Sequence, residues 1–250
     1  MPPIEINGQT VSDVVVNGQS VDEITANGQT VFTATPDHRW PATEGSGLTI
    51  ADSIGSADAT HPHDQWTGSD DYIGETAPNL DGTNEAIICP HRDAYEGVAD
   101  LTFTINLDGP EPSATAQIAG VYDFGSDDRV WRMQYNPSES NSWWLWISDN
   151  GSDTDIIEFN QPWPSETFQV GFRWTSESNP ELAINGDFVA ADSGSTEISE
   201  LHSATVDMLI GSREDDDDVY NGVVDNWAIE AAYWSDARLS DWFDEQPFAE

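Results

Sequence analysis

Apolar and polar residues alternate along several stretches of the chain. Val170, Phe172 and Trp174 alternate with glycine and arginine, and Leu101, Phe103 and Ile105 alternate with threonine. A period of two places successive side chains on opposite faces of a β-strand. Turn-forming residues separate these stretches, namely Asp108-Gly109-Pro110, Asp149-Asn150-Gly151, Asn185-Gly186 and Asn221-Gly222. The pattern predicts an all-β fold, either a β-sandwich or a jelly roll, with one or two helical turns within residues 236–243.

The first 35 residues carry a ten-residue repeat. Asn-Gly-Gln, followed by Thr or Ser and then Val, occurs at 7–11, 17–21 and 27–31. Asn-Gly supplies the positive φ angles of a tight hairpin turn, so each unit predicts two very short strands. Units of this size bury too little apolar surface to be stable alone. We therefore expect residues 1–35 to be completed by other chains, for attachment or oligomerisation, and residues 36–250 to form the sandwich.

The charge of the chain indicates the solvent in which it works. The sequence contains 47 acidic and 7 basic residues, for a net charge of -40, and every basic residue is an arginine. Such a charge loosens a compact state in dilute buffer. In molar salt the screening length falls to roughly 3 Å, which removes most of the repulsion. The composition therefore indicates an extremely halophilic source, and it argues against nucleic acid as a partner.

Targeting signals and disulfides are not indicated by the sequence. The N-terminal residues lack the charged and apolar regions of a secretory signal, and no apolar run is long enough to span a bilayer. We expect synthesis in the cytoplasm without a signal peptide and without membrane insertion. The single cysteine, Cys89, excludes an intrachain disulfide and is expected to be a buried apolar residue.

Several short motifs occur in a fixed order along residues 38–248. They are Arg39-Trp40-Pro41, Ala51-Asp52-Ser53, Gly68-Ser69-Asp70-Asp71-Tyr72, Leu182-Ala183-Ile184-Asn185-Gly186, Ile210-Gly211-Ser212-Arg213 and Tyr233-Trp234-Ser235. In this order they resemble the laminin-G-like domains with the concanavalin A-type jelly roll. The resemblance implies an all-β, two-sheet antiparallel jelly-roll sandwich, preceded here by the small β-repeat segment, and such sandwiches most often bind carbohydrate or protein. It also implies a calcium site at Asp52 and Asp225, with Asp58 or Asp71 as additional ligands.

Catalytic motifs are not found in the sequence. Glycoside hydrolases of related jelly rolls place acidic residues at alternating positions of an apolar strand, and no strand here has that pattern. The nucleophile motif Gly-x-Ser-x-Gly is absent as well. In a chain with 47 acidic residues, a chosen pair of carboxylates carries little information. We therefore expect a protein without enzymatic activity.

Tryptophan is concentrated between residues 131 and 174. Trp144 and Trp146 share one face of a predicted strand, whereas Trp143 lies on the other face. One face must meet the opposing sheet, so the aromatic side chains of the other need a ligand or a partner chain. The candidate glycan- or partner-binding residues are Trp143, Trp144 and Trp146, together with Arg132 and Tyr135 on the preceding strand.

The Asn-Gly repeat resembles short repeats in structural proteins of tailed viruses. Together with the composition and the sandwich, it predicts a virion-surface protein of a virus of halophilic archaea, such as a tail fibre, spike or capsid turret. The sandwich would bind a host-surface glycan or glycoprotein, and residues 1–35 would join a homo-oligomer and other virion proteins. One alternative is a purely structural decoration protein of the capsid or tail. Another is a halophilic glycoside hydrolase.

Overall fold

The computed structural model describes residues 36–245, apart from 70–71, 73–74, 84–85, 124, 139–141 and 214–217. Of residues 1–35 it describes the backbone of six short strands, which form three antiparallel pairs. The pairs are β1 (Glu5–Ile6) with β2 (Gln9–Thr10), β3 (Val15–Val16) with β4 (Gln19–Ser20), and β5 (Glu23–Ala26) with β6 (Gln29–Thr33).

Sixteen further strands follow in the described part of the chain. They are β7 (His38–Trp40), β8 (Thr49–Ile50), β9 (Ala59–Thr60), β10 (Trp66–Gly68), β11 (Thr76–Asp81), β12 (Ile87–Cys89), β13 (Asp100–Asp108), β14 (Ala116–Asp123), β15 (Asp128–Asn136), β16 (Ser142–Gly151), β17 (Asp155–Phe159), β18 (Phe168–Thr175), β19 (Glu181–Ile184), β20 (Asp187–Val189), β21 (Met208–Ile210) and β22 (Asn221–Glu230). A 3-10 turn at Asp93–Tyr95 and a helix, α1 (Asp236–Glu245), complete the described elements.

The strands form two antiparallel sheets of eight strands each, which confirms the predicted all-β jelly-roll sandwich. The first sheet has the order β10-β11-β22-β13-β18-β19-β20, with β7 also paired to β22. The second has the order β17-β16-β15-β14-β21-β12-β9-β8. Half of the neighbouring strand pairs in these sheets are not consecutive in sequence, so the turns alone do not determine the sandwich.

The core lies between the two sheets and follows the alternation seen in the sequence. In β13 and β18, Leu101 pairs with Trp174, Phe103 with Phe172 and Ile105 with Val170. All six side chains are buried, as are Trp40, Trp227 and Cys89. The prediction that Cys89 is a buried apolar residue is therefore confirmed.

Helix α1 covers part of the outer face of the first sheet. Its residues Leu239 and Phe243 form a small second cluster with Ala183 of β19 and with Trp234. The sequence predicted a short helix within 236–243, and the observed helix continues to Glu245. None of the described helical segments is both long and apolar enough to cross a membrane.

Two Asn-Gly pairs in the sandwich have different structures. Asn185-Gly186 connects β19 to β20, and both residues have positive φ (50° and 83°), as predicted for a hairpin turn. The turn predicted at Asn221-Gly222 is wrong, because these residues are the first two of β22 and pair with Asp81 and Leu80. The reason lies in packing, since a Cβ on Gly222 would come within 2.4 Å of the Tyr220 hydroxyl.

Candidate functional site

Strand β16 decides which tryptophans face the core. Its alternation directs Trp143, Leu145 and Ile147 inward, where each is buried. Trp144 and Trp146 lie on the outer face of the second sheet and are half-buried. Their ring centroids are 6.2 Å apart and their planes are inclined by 51°. The sequence predicted two aromatic faces, and the structure makes Trp144 and Trp146 the solvent-facing pair.

An arginine supports this pair from the neighbouring strand. Arg132 of β15 is in register with Trp146, and its Cζ atom lies 4.6 Å from the Trp146 ring centroid. The same guanidinium lies 4.8 Å from the ring of Tyr122, on β14. Gly120 pairs with Arg132, and a Cβ there would come within 3.2 Å of Arg132 Cγ. Glycine at this position therefore makes room for the arginine stem. We call Tyr122, Arg132, Trp144 and Trp146 the aromatic cluster.

Most polar atoms of the aromatic cluster are buried. Arg132 Nη1 lies 3.6 Å from Asp218 Oδ2, which also accepts a hydrogen bond from Arg213 at 3.2 Å. Burial raises the pKa of Tyr122, with Arg132 and Arg129 opposing that shift, so the phenol remains protonated. The indole nitrogens of Trp144 and Trp146 are buried and have no hydrogen-bond partner among the described residues. The two tryptophans therefore offer ring carbon to the solvent, which suits stacking.

Two of the predicted binding residues belong to the core instead. Trp143 stacks on Trp163, with 5.3 Å between ring centroids and 7° between planes. Tyr135 is fully buried, donates a hydrogen bond to Glu111 Oε1 at 2.6 Å and accepts one from the backbone N–H of Trp163. This corrects the sequence prediction for both residues, because neither side chain reaches the surface that carries Trp144 and Trp146.

One carboxylate lies on the same face as the tryptophans. Glu158 of β17 is in register with Trp144 and is partly exposed. Its Oε1 accepts a hydrogen bond from the Ser142 hydroxyl at 2.7 Å, and its Oε2 accepts one from the Ser193 hydroxyl at 2.9 Å. The carboxylate is thus held in a fixed orientation beside Trp144. Each of its oxygens retains acceptor capacity, because a carboxylate oxygen has two lone pairs.

Asp52, a predicted calcium ligand, is engaged by protein donors. Its Oδ2 lies 2.5 Å from His38 Nδ1 and accepts the N–H of Ala57, while Oδ1 accepts the N–H groups of Gly55 and Arg39. Burial acts to raise the pKa of Asp52, but these hydrogen bonds outweigh it and hold the pKa below its usual value. The carboxylate organises the loop after β8.

Of the other predicted calcium ligands, Asp58 lies beside Asp52 and Asp225 lies on β22. Asp58 accepts the backbone N–H of Asp52 at 3.0 Å, so it too supports this loop. Asp225 is buried on β22, where its charge acts on Arg39. Asp71 lies outside the described residues. Within the described part of the chain, no three His, Cys, Asp or Glu side chains are grouped to hold a metal ion. Calcium binding stays a prediction.

Tyr122 and Glu158 were not predicted from the sequence. The register of β14 against β15 shifts between Val121 and Tyr122, and this irregularity hides the face on which Tyr122 lies. Glu158 is one acidic residue among 47 acidic residues in the chain. Its position opposite Trp144 follows from strand pairing, which the local pattern does not contain.

Known proteins resemble this chain in structure but not in sequence. No family model matches the chain, and no curated protein matches it. A Trypanosoma rangeli sialidase in complex with the inhibitor DANA superposes with a TM-score of 0.60 at 14% identity, over 89% of this chain and 35% of that chain. Domain 4 of AbnA, a GH43 extracellular arabinanase from Geobacillus stearothermophilus, in complex with arabinotriose, gives a TM-score of 0.60 at 15% identity, over 86% of this chain and 98% of that one.

A third similar structure is the ligand-binding domain of botulinum neurotoxin serotype D in complex with N-acetylneuraminic acid. It superposes with a TM-score of 0.62 at 11% identity, over 84% of this chain and 51% of that chain. This chain therefore corresponds to about half of the toxin structure and about a third of the sialidase structure. At these identities the similarity establishes a shared fold.

Proposed function

We propose that this chain is a non-enzymatic, glycan-binding protein that uses the aromatic cluster to contact sugar. The observation that carries the proposal is the pair of half-buried tryptophans on the outer face of the second sheet, supported by Arg132. Indole rings stack on the C–H faces of sugars, and rings fixed on a strand lose little entropy on binding. The sialidase, arabinanase domain and neurotoxin domain, each described in complex with a sugar or a related inhibitor, support a glycan as the ligand.

Stacking also suits the solvent that the composition indicates. In molar salt the screening length is only about 3 Å, so attraction between exposed charged groups that are not in direct contact contributes little to binding. Burial of apolar surface persists in such a solvent and is strengthened by salts that are excluded from the protein surface. A binding face made of ring carbon therefore retains its affinity where a charged face would lose it.

The proposal is tested by measuring sugar binding in molar KCl. The wild-type chain is compared with Trp144→Ala and Trp146→Ala on an array of glycans that includes haloarchaeal envelope glycoprotein. We expect each substitution to weaken binding by about 5- to 50-fold, the effect of a lost aromatic contact with its buried area. The control is Phe188→Ala, which removes another exposed ring, 40% accessible, from β20 of the first sheet. Equal loss in the control, or binding unaffected in both variants, would contradict the proposal.

The setting that we propose is the surface of a virion that infects halophilic archaea. The acidic composition and the decapeptide repeat support it, with residues 1–35 attaching the sandwich to other virion proteins and to copies of itself. Mass spectrometry of purified haloarchaeal virions should identify the chain, and antibody should label the particle surface. Deletion of residues 1–35 should convert an oligomer to a folded monomer, and light scattering would measure the change in mass. An unchanged oligomer would assign assembly to the sandwich instead.

A structural decoration role is the second candidate, and one observation favours it. Ile156 of β17 is 39% exposed and in register with Trp146, so the tryptophan face continues into an aliphatic side chain that a protein partner would cover. In that case Trp146→Ala would lower the occupancy of the protein on particles. Neither the wild-type chain nor the variant would bind glycan detectably. Release of reducing sugar from envelope material, if observed, would replace both candidates with a hydrolase.

A further inference from the structure

The geometry around β16 points to the class of glycan bound, an inference that rests on the proposed function. We propose that the site takes a flexible, neutral glycan chain of at least two sugar residues. One ring would stack on Trp144 and the next on Trp146, and Glu158 would accept a hydrogen bond from a sugar hydroxyl. Glu158 would thereby determine the preference for neutral over acidic sugars.

The spacing of the two tryptophans supports a ligand of at least two sugar residues. They are two residues apart on one strand, and their ring centroids are separated by 6.2 Å. That distance is close to the two-residue rise of a strand, roughly 6.6 Å, and close to the length of one sugar unit in a chain. Because Arg132 covers one face of Trp146, the ligand must approach from the side away from the arginine. Two consecutive sugar rings lying along β16 would match the spacing of the tryptophans and would approach Trp146 from the side away from Arg132.

The inclination of the two indole rings supports a flexible glycan chain. The two indole planes differ by 51°, so the sugar rings that stack on them must be turned relative to each other. A free glycan chain has that freedom about its glycosidic bonds. A flat crystalline polysaccharide does not, since its exposed rings are coplanar. The site is therefore built for soluble or surface-tethered chains.

Glu158 supplies the polar element that the tryptophans lack. Both indole nitrogens are buried, so a hydrogen bond to a sugar on Trp144 has to come from a neighbouring side chain. Gln134 and Glu158 are both in register with Trp144, and of the two only Glu158 is partly exposed. Hydrogen bonds from Ser142 and Ser193 fix its position. A fixed carboxylate accepts hydroxyl groups strongly, and it repels the carboxylate or sulfate of an acidic sugar at contact distance, where salt screens least.

The test uses the full chain in molar KCl and isothermal titration calorimetry. The probes are manno-, xylo-, gluco- and arabino-oligosaccharides of increasing length, starting from the monosaccharide, with the corresponding uronic-acid oligomers. For the neutral series that binds, we expect affinity to rise at least ~5-fold from one sugar to two, the value of a second aromatic contact, and to change little beyond.

Glu158→Gln separates a specificity role from a structural one. It keeps the shape of the side chain, and we expect about 5-fold weaker binding of neutral oligomers together with stronger binding of the uronic-acid series. Glu200→Gln, at an exposed loop residue, is the control. If binding is lost in Trp144→Ala but does not depend on chain length or on Glu158, the inference is wrong and the proposed function stands. Absence of binding to every sugar overturns both.

Discussion

Arginine serves this lysine-free chain as a flat stacking group as well as a charge. Arg132 lies between Tyr122 and Trp146, and Arg173 lies 4.2 Å and 4.5 Å from the rings of Phe188 and Tyr233. The guanidinium is planar and less strongly hydrated than an ammonium group, so it can lose water and cover a ring. At the scale of single residues, Arg132 and Arg173 therefore lie where a planar cation covers an aromatic ring.

The carboxylate of Asp52 gives a testable case at the same scale. Because its pKa is lowered in the folded protein, its stabilising contribution is complete above the unfolded pKa of about 3.9 and is lost as the pH falls through the folded pKa. Asp52→Asn should reduce the free energy of unfolding by about 1–3 kcal/mol at pH 7, because donors now bonded to the carboxylate lose an acceptor. The variant should also lose less stability than wild type between pH 5 and pH 2.

Urea unfolding at constant molar KCl and stepped pH measures both effects. The exposed carboxylate variant Asp241→Asn serves as the control and should reproduce the wild-type curve. Parallel pH profiles for wild type and Asp52→Asn would mean that the hydrogen bonds around Asp52 do not stabilise the loop after β8.

At the scale of elements, the start of β22 shows how packing overrides a turn signal. Gly222 lies in the strand, and a Cβ there would be 2.4 Å from the Tyr220 hydroxyl and 2.7 Å from the carbonyl oxygen of Asp108. Gly222→Ala should therefore destabilise the protein by about 1–3 kcal/mol through overpacking. Chemical denaturation compares it with Gly125→Ala, where the nearest atom would be 3.4 Å away. A smaller loss at Gly222 than at Gly125 would show that Tyr220 moves aside freely.

The same element explains how far the sequence predicts the fold. Alternation identified β13, β18 and the two sets of side chains on β16, because strand periodicity is local. It did not decide whether Trp143 or the pair Trp144 and Trp146 faces the core, because both sets are aromatic. Asn185-Gly186 and Asn221-Gly222 look alike in sequence, and only Tyr220 and the paired strand β11 distinguish them. Likewise, Glu158 meets Trp144 through pairing that no local pattern encodes.

At the scale of the whole molecule, a net charge of -40 governs stability through the solvent. Repulsion among exposed carboxylates opposes the folded state most strongly at low ionic strength, where the screening length is about 10 Å at 0.1 M. It becomes small as that length falls toward about 3 Å at 1 M. We therefore expect the midpoint of thermal unfolding, followed by circular dichroism, to rise steeply with KCl up to about 1 M and more gently above it.

Two comparisons separate charge screening from a general effect of the solute. Sucrose at matched osmolality should stabilise far less than KCl at low ionic strength, because it is excluded from the surface but screens nothing. Replacing four exposed carboxylates by amides, as Asp149→Asn, Asp187→Asn, Asp241→Asn and Asp244→Asn, should shift the steep part of the curve to lower KCl. If the quadruple variant needs as much salt as wild type, repulsion does not limit folding. The acidity would then serve hydration of the surface, and the aromatic cluster would still have to bind in the same concentrated solvent.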